Sequence, residues 1–420
     1  MLRTNTKTLA KLLNINCVTD VEFSGIYTNT RQPMSGGVFL ALIGDNFDAH
    51  DYVKKAEEMG AVAIISSKSV STTLPILMVE NTQQALSDIA KYHLNQINPT
   101  TIAITGSNGK TTTKNLLANI LNLSAPTLKT QGNLNNHLGV PMTLLKLESH
   151  HQYAVIEMGA NHLGEIAYLR DIVNPDIAIV TNTGDAHIGE FGGLDNLIKA
   201  KGEIYSEQSL NIVDAQSNFK GDLSFGKQGD IFASQINGSS FDLHIKQDSI
   251  RVNLQLLGTH NISNALAASA CAHALNIDIQ TIKTGLESTQ AESGRLSVIH
   301  TKSLTLIDDT YNASPSSIKA ALVALQTFKL EPVIVLGSMA ELGNQTKQLH
   351  QKIGQLAKAI TPNFYTFGEL AKHYGGIHFD TQSALSEHLL KNHPSTVILI
   401  KGSRIAQLDK LIKILKNKAL

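Results

Sequence analysis

The chain has 420 residues, 42% of them hydrophobic and 17% charged, with Lys plus Arg and Asp plus Glu balanced at 35 each. This is an ordinary globular composition, and at roughly 100–200 residues per domain it predicts about two to four domains. A balanced charge gives no general reason to expect nucleic acid or an acidic membrane surface as partner. The cysteines, Cys17 and Cys271, stand far apart in no metal-like spacing and read as reduced thiols. Met1 to Asn16 mixes polar residues with its leucines, unlike a signal peptide, and no apolar run approaches the ~20 residues needed to span a bilayer. A cytoplasmic protein without membrane insertion is expected.

Short apolar runs open the chain, Ala61-Val-Ala-Ile-Ile65 and Pro75-Ile-Leu-Met-Val79, with a charged, helix-like stretch between Asp51 and Gly60. They predict a small α/β unit. His93 to Thr100, carrying Asn95, Asn98 and Pro99, reads as a linker. Thr101-Ile-Ala-Ile-Thr105 then reads as a buried strand, followed by a glycine turn and a helical run from Thr111 to Leu121. Tyr153–Glu157 and Ile177–Thr181 are further buried strands ending in polar residues and glycine. Strands alternating with helices imply a mainly parallel sheet, where ligands sit beyond the carboxyl ends of the strands.

The pattern restarts near Ser293, with strands expected at Leu304–Ile307, Pro332–Leu336 and Val397–Ile400. Leu349, Ile353, Leu356 and Ile360 are spaced as one face of a helix. There is no internal repeat or low-complexity tract. The expected architecture is α/β with three domains. A central P-loop-type, mainly parallel sheet (99–295) is flanked by a small amino-terminal α/β domain (1–98) and a Rossmann-like carboxy-terminal domain (296–420).

Thr105-Gly106-Ser107-Asn108-Gly109-Lys110-Thr111 falls between the strand and the helix. Glycines let such a loop turn its N–H groups toward phosphate oxygens, and the helix amino terminus adds positive potential. Lys110 can reach the outer phosphates, while the Thr111 hydroxyl can ligate Mg²⁺. The usual spacing needs a glycine at position 104, which is Ile104, so this is a shortened variant.

That loop resembles the loop of the Mur ligases and of their relative folylpolyglutamate synthase. Other segments follow in family order. Thr130-Gln-Gly-Asn-Leu-Asn-Asn-His-Leu-Gly-Val-Pro141 is similar to the family's GNxNNxxGxP segment. Glu157-Met-Gly-Ala-Asn-His162 and Thr181-Asn-Thr-Gly-Asp-Ala-His187 are similar to its two metal-site segments, and His260-Asn-Ile-Ser-Asn-Ala265 and Ser293-Gly-Arg-Leu296 to its nucleotide-contact segments. Asp308-Asp-Thr-Tyr-Asn-Ala-Ser-Pro315 is close to a signature of the member that adds D-alanyl-D-alanine, and Lys401-Gly-Ser-Arg404 fits the last family segment. There are departures: Gly337-Ser338-Met339 stands where that member usually reads Gly-Asp-Met, and Asn29-Thr30-Arg31 where Asp-Ser-Arg is usual.

The resemblance implies an ATP-dependent ligase. Hydroxide is a poor leaving group, so a carboxylate does not form an amide unaided. Transfer of the γ-phosphoryl group gives an acyl phosphate that an amine can attack, and the crowded anions need metal ions and oriented cations. The implied substrates are ATP, UDP-N-acetylmuramoyl-tripeptide and D-alanyl-D-alanine, with two Mg²⁺ ions for which Mn²⁺ can stand in.

Residue by residue, Gly106 to Lys110 with Thr111 and Thr112 match the ATP loop, joined by Asn264, Arg295 and Asp309. Glu157 ends an apolar strand, where its charge needs a partner: a Mg²⁺ shared with Thr111, or a helix terminus it caps. His187 matches a ligand to the second ion; taken alone it would read as a packed or surface histidine. Asn133, Asn135, Asn136, Tyr311, Asn312, Ser403 and Arg404 are expected around the organic substrates. Thr30 and Arg31 are candidates for the uridine diphosphate in the first domain.

Lys201 is read from its own surroundings. Asp195, Lys199 and Glu203 recur every four residues, suiting a solvated ion-pair face. Lys201 lies about 200° round the helix from that face, with Leu197, Ile198, Ile204 and Tyr205 at three and four residues. It is expected to point inward, where a neutral amine is favoured, or to pack its stem while its head reaches water. A neutral amine can take up CO₂ as a carbamate, and the resemblance places a metal-supporting carbamylated lysine here. The catalytic set is thus Lys110, Lys201 and His187, in a monomer. Two other readings remain open: a different ligase of the superfamily, or a P-loop phosphotransferase.

Overall fold

The computed structural model describes residues 1–44, 46–184 and 190–418. Asp185 to Gly189, and with them His187, lie outside the described residues.

Toward the amino terminus, a parallel sheet runs Ile26–Tyr27, Val38–Leu40, Ala63–Ser66, Ile76–Met78. Its strands are apolar on both faces because both are covered. Phe39 packs with Tyr27, Ala49 and Ala56 on one side, and Val38 and Leu40 face the other. That second core is continuous with one face of the central sheet. It joins Leu86, Ile89 and Ala90 of the helix Thr82–Ile97 to Ala103, Ile156 and Ala178.

The expected linker is therefore not there as such. His93 to Ile97 complete the helix Thr82–Ile97, and only Asn98 and Pro99 separate it from the strand Thr100–Thr105. His93 is buried and its Nε2 lies 2.9 Å from the Leu147 carbonyl. Asn98, at φ 51°, ends the helix in the left-handed conformation that asparagine tolerates. Asn95 and Gln96 belong to the helix's solvent face, and Asn98 is its cap.

The central sheet has nine strands, ordered Thr127–Lys129, Tyr153–Glu157, Thr100–Thr105, Ile177–Val180, Leu210–Asp214, Leu223–Phe225, Ile231–Asn237, Ser240–Ile245, Asp248–Asn253. The first seven are parallel, and Ser240–Ile245 runs antiparallel to both of its neighbours. Helices Lys110–Asn122 and His260–Ala274 cover one face through Leu117, Ile120, Ala265 and Ala268. The carboxyl ends of Thr100–Thr105 and its two neighbours, at Glu157 and Val180, lie side by side.

A six-stranded sheet forms the third domain, ordered Ser297–His300, Leu304–Asp309, Thr396–Lys401, Pro332–Gly337, Phe364–Phe367, Ile377–Phe379. Only the first pair is antiparallel. The strands Leu304–Asp309 and Thr396–Lys401 end at Asp309 and Lys401, which face the central domain.

Two helix readings shift. In Thr346–Ile360 the buried positions are His350, Ile353, Gly354 and Ala357, while Leu356 is 41% exposed. His350 takes the inward place because its Nε2 accepts the Met339 N–H at 3.0 Å. Glu203, read as part of an ion-pair face, instead accepts N–H groups from Gly164 (2.8 Å) and Ala167 (3.2 Å) at the start of the helix Glu165–Val173. Those donors have no partner within their own helix, so a carboxylate beside them is favourable. Cys17 and Cys271 are free thiols.

Candidate active site

The loop after Thr105 is held from the neighbouring strand's end. Thr181 Oγ1 and Asn182 Nδ2 both donate to the Asn108 carbonyl, at 2.6 and 2.8 Å. Asn108 N–H donates to Asn182 Oδ1 at 3.2 Å, and Ser107 Oγ to the Gly184 carbonyl at 3.0 Å. Gly106, at φ 144°, lies so close to Thr181 that a Cβ would overlap its hydroxyl. Gly109, at φ 81°, caps the helix Lys110–Asn122. Lys110 Nζ donates to the carbonyls of Gly106 (2.6 Å) and Ser107 (3.4 Å). Burial pushes the Lys110 pKa down, Glu157 acts against that, and Arg295 adds to it.

Glu157, 2% exposed, joins several elements. Thr111 Oγ1 donates to Oε2 at 2.9 Å, and Asn135 Nδ2 to Oε1 at 2.9 Å. Lys114 Nζ stands 3.5 Å from Oε2. The carboxylate is therefore met by side chains, those of Asn135 and of Thr111 and Lys114 on the helix Lys110–Asn122. Asn136 does local work, its Oδ1 accepting the N–H groups of Leu138 and Gly139.

Lys201 points inward, as expected, at 1% exposure. Its Nζ lies 3.3 Å from the Ala160 carbonyl and 4.9 Å from the centroid of the Phe191 ring. Its pKa is pushed down to about 7, first by burial and then by the charge of Lys110, against Glu165 and Glu203.

The third domain supplies the opposite wall. The Arg295 guanidinium stacks on Tyr311 at 3.8 Å and pairs with Glu292 at 3.7 Å. Asp309 pairs with Lys401 at 2.6 Å, and Lys401 also donates to the Asn312 carbonyl at 2.8 Å. The helix Pro315–Leu325 opens on Ser314 with a capping box, and Ser314, Ser316 and Ser317 border the cavity. Asn108 Nδ2 reaches Ser316 Oγ at 3.2 Å, so the phosphate loop touches the third domain.

Between these walls lies a cavity of about 1030 Å³. The structure brings to it Ser107 to Thr112, Glu157, Lys201 and Asn264, with Asn133, Asn135 and Asn136. Arg295 comes from the boundary between the two domains, and Asp309, Tyr311 and Asn312 from the third. It does not bring Thr30, Arg31, Ser403 or Arg404 to the lining. Thr30 is buried and Arg31 exposed within the first domain, and Arg404 is exposed with its guanidinium 5.9 Å from the Tyr311 ring. Ser403 is buried, with no hydrogen-bond partner at its Oγ among the described residues. Sequence reasoning missed Lys114 and, in the first domain, Gln83, and it quoted Lys401 as the start of a family segment without giving it a role. Lys114 stands three residues after Thr111, one helical turn away on the same side, and that spacing was the available signal.

The fold and the cavity define a nucleotide-site α/β protein whose phosphate loop is completed by a separate Rossmann-like domain. The Mur ligase middle domain matches residues 104–272, and the Mur ligase glutamate ligase domain matches residues 294–404. The chain belongs to the Mur ligase family. The UDP-N-acetylmuramoyl-tripeptide–D-alanyl-D-alanine ligase of Haemophilus influenzae is 36% identical over 100% of this chain and 99% of its own. A crystal structure of MurF from Acinetobacter baumannii superposes with a TM-score of 0.93 at 38% identity, covering 99% of each chain. The MurF ligase of Thermotoga maritima in complex with ADP gives 0.86 at 27% identity, over 94% of this chain and 97% of that one.

Proposed function

We propose that the chain joins D-alanyl-D-alanine to UDP-N-acetylmuramoyl-tripeptide, cleaving ATP to ADP and phosphate, in synthesis of the peptidoglycan precursor. One observation carries the reading most: a single cavity places the phosphate loop, Glu157 and Lys201 opposite the Tyr311–Asn312 loop. Full-length relatives bearing this ligase name support it. The domains divide at about residues 98 and 295, and the protein works as a cytoplasmic monomer.

Lys110 and the loop N–H groups hold the outer phosphates, and Arg295 at the domain boundary with Asp309 of the third domain orients the nucleotide, near Asn264. Gly106 provides the close backbone turn, and Thr112 continues the helix terminus facing the phosphates. The muramoyl-tripeptide carboxylate attacks the γ-phosphorus and ADP leaves, giving an acyl phosphate. The amine of the dipeptide then attacks the acyl carbon, loses a proton, and phosphate departs. Asn133, Asn135 and Asn136 line the donor's path, Tyr311, Asn312, Ser403 and Arg404 that of the dipeptide, and Thr30 and Arg31 hold the uridine diphosphate.

The Thr111 hydroxyl and Glu157 carboxylate, 2.9 Å apart at the cavity wall, are hard oxygen donors suited to Mg²⁺ or Mn²⁺. The ion would be shared with the nucleotide's phosphates. When bound, such cations offset the charge of the transferring phosphoryl group. Lys201, carbamylated by CO₂, and His187 would support a second one. A buried amine with a pKa near 7 suits carbamate formation.

The reading is tested by measuring ADP and phosphate release over a panel of carboxylate and amine pairs. Release should require both UDP-N-acetylmuramoyl-tripeptide and D-alanyl-D-alanine. Turnover with a single amino acid or a folate instead would assign another ligase of the superfamily. Release without an amine would assign a phosphotransferase.

A further inference from the structure

Lys114 has no part in the reaction scheme above, yet it is among the largest fully buried side chains of the protein. An ammonium at 1% exposure is costly unless something compensates it. Its ion-pair partner is Glu157, 3.5 Å away and 2% exposed. Lys114 approaches from inside the helix Lys110–Asn122, one turn beyond Thr111. Thr111 and Lys114 thus address the same oxygen, Oε2, while Asn135 takes Oε1. Thr130 Oγ1 accepts the Glu157 N–H at 2.9 Å and fixes the backbone beneath.

We propose that Lys114 is a positioning residue: a built-in counter-charge that orients Glu157 and holds down the affinity of the Thr111–Glu157 site for a divalent cation. This rests on the reading of Thr111 and Glu157 as metal ligands, but not on the identity of the organic substrates. The chain's own ammonium already neutralises the carboxylate. An arriving cation therefore meets a carboxylate whose charge is shared, and a fixed positive charge close behind it. The nucleotide's phosphates would supply the missing negative charge, so the cation is taken up well only together with ATP and leaves with ADP. Without Lys114 the carboxylate would keep only the hydrogen bonds of Thr111 and Asn135 and the charge of Lys110, and would hold a free divalent ion more tightly.

The test is Mn²⁺ binding to the full-length protein by electron paramagnetic resonance, without nucleotide, for wild type and Lys114→Met. The variant should bind free Mn²⁺ on the order of tenfold more tightly. Its melting temperature should fall in EDTA and recover with Mn²⁺. The double variant Lys114→Met/Glu157→Gln, with both charges removed, should melt higher in EDTA than Lys114→Met alone. Unchanged or weaker Mn²⁺ affinity, or a melting loss that neither Mn²⁺ nor the second substitution repairs, makes Lys114 a packing residue. If Lys114→Met does not fold, the double variant carries the test: its folding supports the counter-charge, and its failure overturns it. Loss of Mn²⁺ binding in Glu157→Gln alone is expected. Wild-type Mn²⁺ binding that survives Glu157→Gln would instead overturn the ligand assignment beneath the proposal.

Discussion

Gly109 and Asn264 face each other so closely that a Cβ at Gly109 would overlap the Asn264 amide oxygen. The phosphate loop is thereby locked against the helix His260–Ala274, whose Asn264 amide is held in turn by Asn261 at 2.8 Å. Gly109 also sits at φ 81°, where a side chain costs about 1–2 kcal/mol. Gly109→Ala should therefore lower turnover by at least about 100-fold, with a modest loss of melting temperature. Steady-state ADP release and calorimetry check both; an active variant would mean that the loop tolerates displacement.

Lys110→Ala should remove nearly all ligase activity while leaving the circular dichroism spectrum and melting curve close to wild type. The reason is loss of the cation assigned to the outer phosphates. Retention of more than about a tenth of wild-type turnover would count against the phosphate-loop assignment.

Arg31→Ala should weaken binding of the uridine-diphosphate substrate more than that of ATP. Arg31 is exposed in the first domain, away from the cavity that holds the loop. Parallel calorimetric titrations measure the two; equal losses would remove the first domain from the role assigned to it.

Lys201 gives a pH signature in protein freed of bicarbonate and metal. Its pKa in the fold is about 7 against an ordinary 10.5. The unfolded chain binds more protons between those values, so the lysine's contribution to stability rises with pH across that window. Its penalty is fully present below about 7. Lys201→Met should be the more stable protein at neutral pH, by on the order of a few kcal/mol, with the advantage shrinking toward pH 10. Denaturant melts across that range would show a constant gap if the amine were not burdened by burial.

In the enzyme, Lys201→Ala should abolish activity and acetate should restore part of it, while Lys201→Arg stays inactive because a permanent cation cannot become an anion. Bicarbonate depletion should lower wild-type turnover at mildly acidic pH. An active arginine variant would end the carbamate reading.

The site's first half was legible because phosphate chemistry constrains local sequence: strand, glycine turn, lysine and hydroxyl are contiguous from Thr105 to Thr111. Glu157 and Lys201 were legible for a different reason, as charges in apolar surroundings. Lys114 and Lys401 were not, since their burial depends on partners at Glu157 and Asp309 that only tertiary packing brings near. The strands from Leu223 to Asn253 escaped notice because the sheet changes direction there and half its residues stay exposed, as in Ile231–Asn237. The segment around His93 was misread because asparagine marks helix ends as well as linkers.

The strand Thr396–Lys401 has a consequence for how the protein comes into being. It is the last strand along the chain, yet it lies inside its sheet, between Leu304–Asp309 and Pro332–Gly337. While the ribosome is still adding residues before Thr396, those two strands have no shared neighbour, and Asp309 lacks the ammonium that later pairs with it. The third domain must therefore wait, with apolar edges open, until Thr396–Lys401 has emerged. Catalytic competence arrives in the same event that closes the sheet.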